Sequence, residues 1–426
     1  MQLISFCINT ARNELRHIQL LFKSLQQNLS TLDHEILVFV DSDNQNTFEW
    51  LLSQKTVFKN LKILKNILDM PYGYQRNINE LFLTAKHDIV SYLQSDMVVC
   101  KDYDIEVLKH LQPNTIVCST RIEPPLHGNS GEKITYDFGL DPELFDLEEF
   151  TSYAETHKTN RITQYFFAPF TLYKDTWNSI GGHDTRFRRS REDSDILVRL
   201  VLNQTKIIQV WNALVYHFTC TSSRGKDWFD SNNTEAQQRA KLQQYADSIE
   251  LNRFFRKWGR FSHSMDPLPV YNISAIINGS PTEQNAHKLK LIEPFFNKIK
   301  TSDYFINTIL VDYKNRHTPA NALLRVESSV WDECCYMFSD DDYVQRITSN
   351  DIHDDVIITF SLDNLTEAHV NTFILNLQDI VHAQNELGEF SYDIFHINVN
   401  KKEDVSSKKI HLQNPIIQQQ HLYTTH

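Results

Sequence analysis

Within its first forty residues the chain passes from an apolar strand-like run to a helical stripe and on to a second apolar run, and that order leaves few folds open. Leu3 to Ile8 reads as a short strand. Asn13 to Gln27 places Leu15, Ile18, Leu21, Phe22 and Leu25 on one helical face, and Glu35 to Val40 reads as a buried strand. A strand, helix and strand in so short a span make the two strands parallel neighbours joined by a right-handed crossover. Further strands are expected at Leu61 to Leu64 and Ile89 to Leu93, with a helix at Gln75 to Thr84 between them. This is the grammar of an open α/β sheet. Ligands of such sheets sit beyond the carboxyl ends of the strands. The residues there are Thr10 and Arg12, Asp41 and Asp43, and Ser95 and Asp96, so three strand ends converge on one acidic crevice.

Composition narrows the function classes. A length of 426 residues suggests two or three domains. A net charge of −12 disfavours general nucleic-acid binding through phosphate neutralisation. Only 10 glycines occur, and neither the dinucleotide G-x-G-x-x-G string nor the P-loop string is present. Six thinly spread cysteines without C-x-x-C spacing fit reduced thiols in a cytoplasmic protein. The opening apolar stretch is broken by Arg12 and Glu14, and no later run reaches the length of a membrane helix.

The expected organisation is one α/β domain over residues 1–262, a second α/β region over 270–400 and a loose polar tail over 401–426. In the first, Ile122 to Arg161 reads as a lid or acceptor-side segment, with a weak helical pattern at Pro142 to His157. Helices are expected at Lys174 to Ile180 and Glu192 to Leu202, a strand at Lys206 to Val210 and a helix at Glu235 to Trp258. The second region repeats the strand–helix–strand grammar twice. It runs ISAII, a helix at Glu283 to Ile299 and a strand in YFINTILV, then VIITFSL, a helix at Glu367 to Gln384 and a strand in YDIFHINV. Its resemblance to the first forty residues is one of pattern.

Several ordered blocks in the first half carry a resemblance: VDSDN at Val40 to Asn44, GYQRNINE at Gly73 to Glu80, YLQSDM at Tyr92 to Met97, GGHDTRF at Gly181 to Phe187, REDSDILVRL at Arg191 to Leu200 and VYHF at Val215 to Phe218. In their order and spacing, residues 1 to about 225 resemble glycosyltransferase family 2, inverting enzymes of GT-A fold. The resemblance implies a Rossmann-like, mainly parallel sheet that binds a nucleotide-diphosphate sugar, a UDP-sugar by preference, and transfers the sugar to a hydroxyl of a glycan, protein or small-molecule acceptor.

By the same resemblance, Asp41 and Asp43 accept hydrogen bonds from the nucleotide base, although an Asx turn explains either as well. Arg76 and Asn77 fall near the donor diphosphate; an exposed helical arginine is the alternative. Asp96 occupies the second acid of a D-x-D motif and is a ligand for Mg²⁺ or Mn²⁺, with Ser95 beside it. Gln94 stands where the first acid is expected, a departure that removes a charge from the site. His217 is the candidate that completes the metal shell. Asp193 is the expected general base with Glu192 orienting substrate, against the alternative of acids favoured by a helix dipole. Gly182 and Asp184 shape the wall around donor sugar and acceptor. Arg224 and Lys226 lie on a segment suited to clamping diphosphate. Asp340, Asp341 and Asp342 read as a solvated acidic turn.

Two other readings stand beside this one. A binding module that has lost catalysis would follow from Gln94 in place of an acid. A nucleotidyltransferase would share the sheet and the carboxylates but lacks its Gly-rich opening loop here. The second region is open to acceptor binding, self-association or a partner.

Overall fold

The computed structural model describes residues 2–11, 14–41, 43, 45–67, 72–126, 130–187, 190–219, 248–260, 268–316, 346–410 and 422–424. The chain divides into two compact units, the first formed by Met1–Arg188, Asn203–Ala240 and Leu412–His426, the second by Arg189–Leu202 and Lys241–His411.

In the first unit, β1 (Ile4–Thr10), β2 (Glu35–Val40), β3 (Leu61–Asn66) and β4 (Ile89–Gln94) pair in parallel in the order β3-β2-β1-β4. The crossovers are α1 (Leu15–Asn28), α2 (Thr47–Gln54) and α3 (Tyr74–Thr84). Ile18, Leu21, Phe22 and Leu25 of α1 are buried in the core, the stripe expected from the sequence. The sheet continues through β5 (Met97–Val99), β6 (Thr115–Glu123), β9 (Phe170–Tyr173) and β10 (Lys206–His217), in the order β4-β9-β6-β10-β5. Two-residue strands β7 (Ile134–Thr135) and β8 (Ile162–Thr163) attach to β6 and β10. β9 and β5 run antiparallel to their neighbours, so the sheet is mostly parallel.

Two features of this unit differ from expectation. Ile122 and Glu123 do not open a lid; they end β6, a nine-residue strand buried along its whole length. β10 also runs on to His217, because an irregularity between Val210 and Leu214 lets it keep pairing with β6 after the expected stop at Val210. The intervening helices are α4 (Tyr103–Leu108), α5 (Leu147–His157) and α6 (Lys174–Ser179). Asp146 caps α5 by accepting the N–H groups of Glu148 and Glu149.

The second unit contains α7 (Glu192–Leu202) and a helix over 248–258, α8. Asp195 of α7 explains why this helix groups with 241–411 and not with the sequence around it. Its buried carboxylate accepts from Arg199 Nε (2.9 Å) and Trp258 Nε1 (2.8 Å) and pairs with Lys257 Nζ (2.6 Å). The sheet of this unit has the order β13-β12-β11-β14-β16-β15, with β11 (Ile273–Asn278), β12 (Ile299–Lys300), β13 (Ile347–Thr348), β14 (Val356–Ser361), β15 (Gly388–Tyr392) and β16 (Phe395–Val399).

Four expectations fail here. The helix α9 (Glu283–Ile292) stops before Pro294 instead of reaching Ile299. The segment YFINTILV is helical, within α10 (Asp303–Arg316), because its buried residues, Phe305 and Ile309, recur at a spacing of four and not two. YDIFHINV is not the parallel end of a crossover, since the chain turns back at Asp393, φ +50°, and β16 runs antiparallel to both β14 and β15. Between β14 and β15 lie α11 (Glu367–Thr372) and α12 (Leu377–Ala383), two short helices in place of one long one.

The first four strands of each unit repeat one plan. Both place the first strand between the second and the fourth, and the register of first against fourth is the same, Ile4 to Ile89 through Asn9 to Gln94 in one and Ile273 to Val356 through Asn278 to Ser361 in the other. In each, an aspartate stands two residues beyond the last pair, Asp96 and Asp363. Asp363 accepts from the Ser280 N–H (3.0 Å), Ser280 Oγ (3.1 Å) and Asn285 Nδ2 (2.7 Å), which joins the ends of β11 and β14.

Residues 422–424, expected in the loose tail, form β17 (Leu422–Thr424), antiparallel to β3 at the sheet edge of the first unit. Cys7, Cys100 and Cys118 are buried free thiols, and burial pushes Cys100 and Cys118 up to about 12. Among the described residues no helix is long and apolar enough to cross a membrane.

Candidate active site at the strand ends of the first unit

Strand register assembles the centre of the site. Met97 of β5 pairs with His217 of β10, so Asp96, one residue earlier, arrives beside the imidazole. Ile122 of β6 pairs with Tyr216, so Glu123 arrives on the other side of the same ring. His217 Nδ1 lies 2.8 Å from Glu123 Oε1, and Nε2 lies 3.7 Å from Asp96 Oδ2. All three residues are buried. A carboxylate on Nδ1 fixes the tautomer and leaves Nε2 as the nitrogen that faces Asp96.

Glu123 is also bound by Lys133 Nζ (2.9 Å) and lies 3.4 Å from Arg121 NH1. Burial works to raise its pKa, but the hydrogen bond and charge of His217, with Arg121 and Lys133, outweigh that and hold it well below the ordinary carboxylate range. Glu14, the residue before α1, lies near enough to Asp96 for the two charges to act on one another. Its Oε2 accepts from Ser95 Oγ (2.6 Å) and the Ala11 N–H (2.8 Å). Burial is the main reason its pKa is raised, and the Asp96 charge adds to it.

The two acids after β2 are spent on local structure. Asp41 Oδ1 accepts from the Tyr72 N–H (2.7 Å) and Asn66 Nδ2 (3.0 Å), and Oδ2 from the Gly73 N–H (3.0 Å). Its own N–H donates to the carbonyl of Thr10, a buried residue, at 3.0 Å. Asp41 therefore sets the entry to α3, where Gly73 at φ +88° turns the chain. Asp43 accepts from the N–H groups of Gln45, Thr47 and Phe48, an Asx-type start to α2, and these bonds keep its pKa low against partial burial.

On α3, Arg76 is half-buried and Asn77 is buried, with neither atom of the Asn77 amide hydrogen-bonded among the described residues. Asn79 ties this helix to the GGHD turn, donating to the His183 carbonyl (3.0 Å) and accepting the His183 N–H (2.8 Å). Gly182 sits at φ +72°, and a Cβ there would lie 2.5 Å from Asn79 Oδ1 and 2.8 Å from Trp177 Nε1. Buried Asp184 is held by Arg186, whose NH2 lies 2.7 Å from Oδ2.

Asp193 and Glu192 open α7 in the second unit; both are half-buried, and Asp193 Oδ1 accepts the Ser194 N–H at 2.6 Å. Arg12, Arg224, Lys226 and the Asp340–Asp342 run lie outside the described residues. Sequence reading missed Glu14, Arg121, Glu123, Lys133 and Asn79. Glu123 carries a usable signal, because it is the last residue of the strand-like run TIVCSTRIE.

Among the described residues no group of three or more His, Cys, Asp and Glu side chains is arranged to hold a metal ion. Among the described residues of this cluster, Asp96 Oδ2 and His217 Nε2 offer an oxygen and a nitrogen, with Glu123 orienting the latter. That pair fits a divalent ion whose remaining positions are filled from outside the protein.

No family model matches the chain, and no curated protein matches it. Among solved structures it is similar to GalNAc-T7, crystallised with UDP, GalNAc and Mn²⁺, at 13% identity and a TM-score of 0.41, over 58% of this chain and 54% of that one. The chain thus spans about half the length of that neighbour. It is similar also to TarS 1-349 of S. aureus, at 14% identity and a TM-score of 0.37 over 59% of this chain and 80% of that one. The same protein in complex with UDP gives 14% identity and a TM-score of 0.38 over 60% and 80%.

Proposed function

We propose that the protein is an inverting glycosyltransferase of GT-A fold that takes a nucleotide-diphosphate sugar, a UDP-sugar by preference, and moves the sugar to an acceptor hydroxyl. The observation that carries this reading is the cluster at the tips of β4, β6 and β10, where Asp96 and His217 meet with Glu123 behind the ring.

A displacement of this kind needs the leaving diphosphate held with its charge offset and a base for the acceptor proton. Asp96 and His217 would hold a Mn²⁺ or Mg²⁺ ion, which when bound supplies positive charge to the leaving diphosphate. Glu123 holds the His217 ring so that Nε2 faces Asp96. Asp41 sets the entry of α3 and Asn79 ties that helix to the GGHD turn; in this reading Arg76 and Asn77 would face the donor and Gly182 and Asp184 the sugar. Asp193 is the proposed base, and Glu192 orients the acceptor.

Thermal melting against a panel of nucleoside diphosphates and their sugars, with and without Mn²⁺, tests donor binding; UDP-sugars with Mn²⁺ are expected to raise Tm most. Asp193→Asn is expected to abolish transfer while leaving that Tm rise in place, and normal turnover by the Asn variant would remove Asp193 from the role. A second reading, a binding module without catalysis, draws on Gln94 in place of an acid. It predicts donor binding with no release of nucleoside diphosphate in any acceptor mixture.

A further inference from the structure

Gln94 ends β4, two residues before Asp96, and its surroundings decide which end of its amide can serve a ligand. Arg121 of β6 lies across the gap beyond the short strand β9, buried, with NH2 3.4 Å from Gln94 Oε1 and NH1 3.4 Å from Glu123 Oε1. The guanidinium is fixed on its other sides, by the Phe167 ring 3.8 Å from Cζ and by the Ala168 carbonyl that accepts from Nε. An arginine has five N–H donors and no acceptor, so only the oxygen of the neighbouring amide can face it. Gln94 Nε2 is thereby turned away from Arg121, and it has no hydrogen-bond partner among the described residues.

We infer that Gln94 serves the site as a hydrogen-bond donor to an anionic or ribose oxygen of the bound nucleoside diphosphate, with Arg121 as the positioning residue that holds its amide in that sense. The inference rests on the nucleotide-sugar reading above and deepens it. A carboxylate at this position would accept from Arg121 and present a second acceptor to the ligand; the amide instead presents N–H. Gln94 is then not a weakened acid but a group of opposite hydrogen-bonding sense, beside a site that already has Asp96 and Glu123 as its anions.

The test is titration calorimetry of the full chain with UDP, in EDTA and again with Mn²⁺, on wild type, Gln94→Glu, Gln94→Met, Arg121→Met and the Arg121→Met/Gln94→Met double variant. Hydrogen bonds to charged groups are worth enough that Gln94→Glu and Gln94→Met should each weaken UDP binding in EDTA by roughly ten- to a hundredfold. Gln94→Glu should melt no lower than wild type, because its carboxylate pairs with Arg121. Arg121→Met should weaken UDP binding in EDTA when residue 94 is Gln and have little further effect when it is Met; a merely structural arginine would weaken both equally.

Gln94→Glu binding UDP with Mn²⁺ as tightly as wild type, or more tightly, would overturn the assignment, since the residue would then be acting as an acceptor. Loss in Gln94→Glu without loss in Gln94→Met would also overturn it, reducing the effect to charge repulsion. Wild type that binds no UDP under either condition would bring down the nucleotide-sugar reading as well, whereas wild-type binding with an unweakened Gln94→Met removes the amide assignment alone.

Discussion

Three glycines separate two effects that coincide at the GGHD turn. Gly182 has both a left-handed φ of +72° and no room for a Cβ, which would fall 2.5 Å from Asn79 Oδ1 and 2.8 Å from Trp177 Nε1. Gly139 has a φ of +89° with open space, and exposed Gly131 has open space and no such φ. Gly139→Ala should therefore report the conformational cost alone, about 1–2 kcal/mol. Gly131→Ala should stay within about 0.5 kcal/mol of wild type. Gly182→Ala carries the conformational cost and also displaces Asn79, which makes two hydrogen bonds to His183 at about 1 kcal/mol each, so about 3–4 kcal/mol is expected. At roughly 2–4 °C per kcal/mol for a unit of this size, Tm should fall by about 6–16 °C. Urea denaturation at a fixed pH, with near-ultraviolet circular dichroism for the fold, measures all three. In an Asn79→Ala background Gly182→Ala should cost less than in wild type, because the nearest obstacle is gone. Gly182→Ala no more destabilised than Gly139→Ala would refute the steric argument and leave the turn constrained by backbone conformation only.

Glu123→Gln should weaken Mn²⁺ binding by about ten- to a hundredfold, the usual effect of losing a carboxylate behind a liganding imidazole, measured by manganese titration followed by electron paramagnetic resonance. Asp104 is buried and accepts from His34 Nε2 (2.9 Å) and Ser30. Burial acts to raise its pKa, but the bonds from His34 and Ser30 prevail and lower it. Its folded pKa lies below its unfolded value, so its stabilisation is present above about pH 4 and is lost as pH falls through the folded value. The urea midpoint of Asp104→Asn should lie below wild type at pH 7, and the gap should close below about pH 4. Asp195→Ala removes the buried carboxylate that pairs with Arg199 and Lys257 in the second unit and should destabilise it by about 3–5 kcal/mol, read by the same denaturation.

The parallel half of the first sheet is legible because its apolar runs and helical stripes are local: β2 falls on its expected residues, and β1, α1, α3 and β4 differ at their ends by one or two; in the second unit α7 likewise falls on its expected residues. What the sequence did not disclose depends on pairing between distant segments. Glu123 reaches His217 because β6 and β10 share a register over 94 positions of chain, and no window around either residue carries that information. α10 reads as a strand in the sequence because Tyr304 to Val311 is a short apolar run, which periodicity alone assigns poorly. Asp195 stands beside the acids that match a motif, yet its three partners within the second unit, Arg199, Trp258 and Lys257, make it a deeply committed residue.

The doubled strand plan shows how one address in a fold can be put to two incompatible uses. At the close of β4 the aspartate is set next to an imidazole, where the proposed divalent ion would lie. At the close of β14 its counterpart is stitched to the serine and asparagine that follow β11, and the seam that results holds two strands together. An oxygen already committed to its own scaffold has little left to offer a visitor, so the second half-sheet keeps its shape with the very atoms by which the first would do its work.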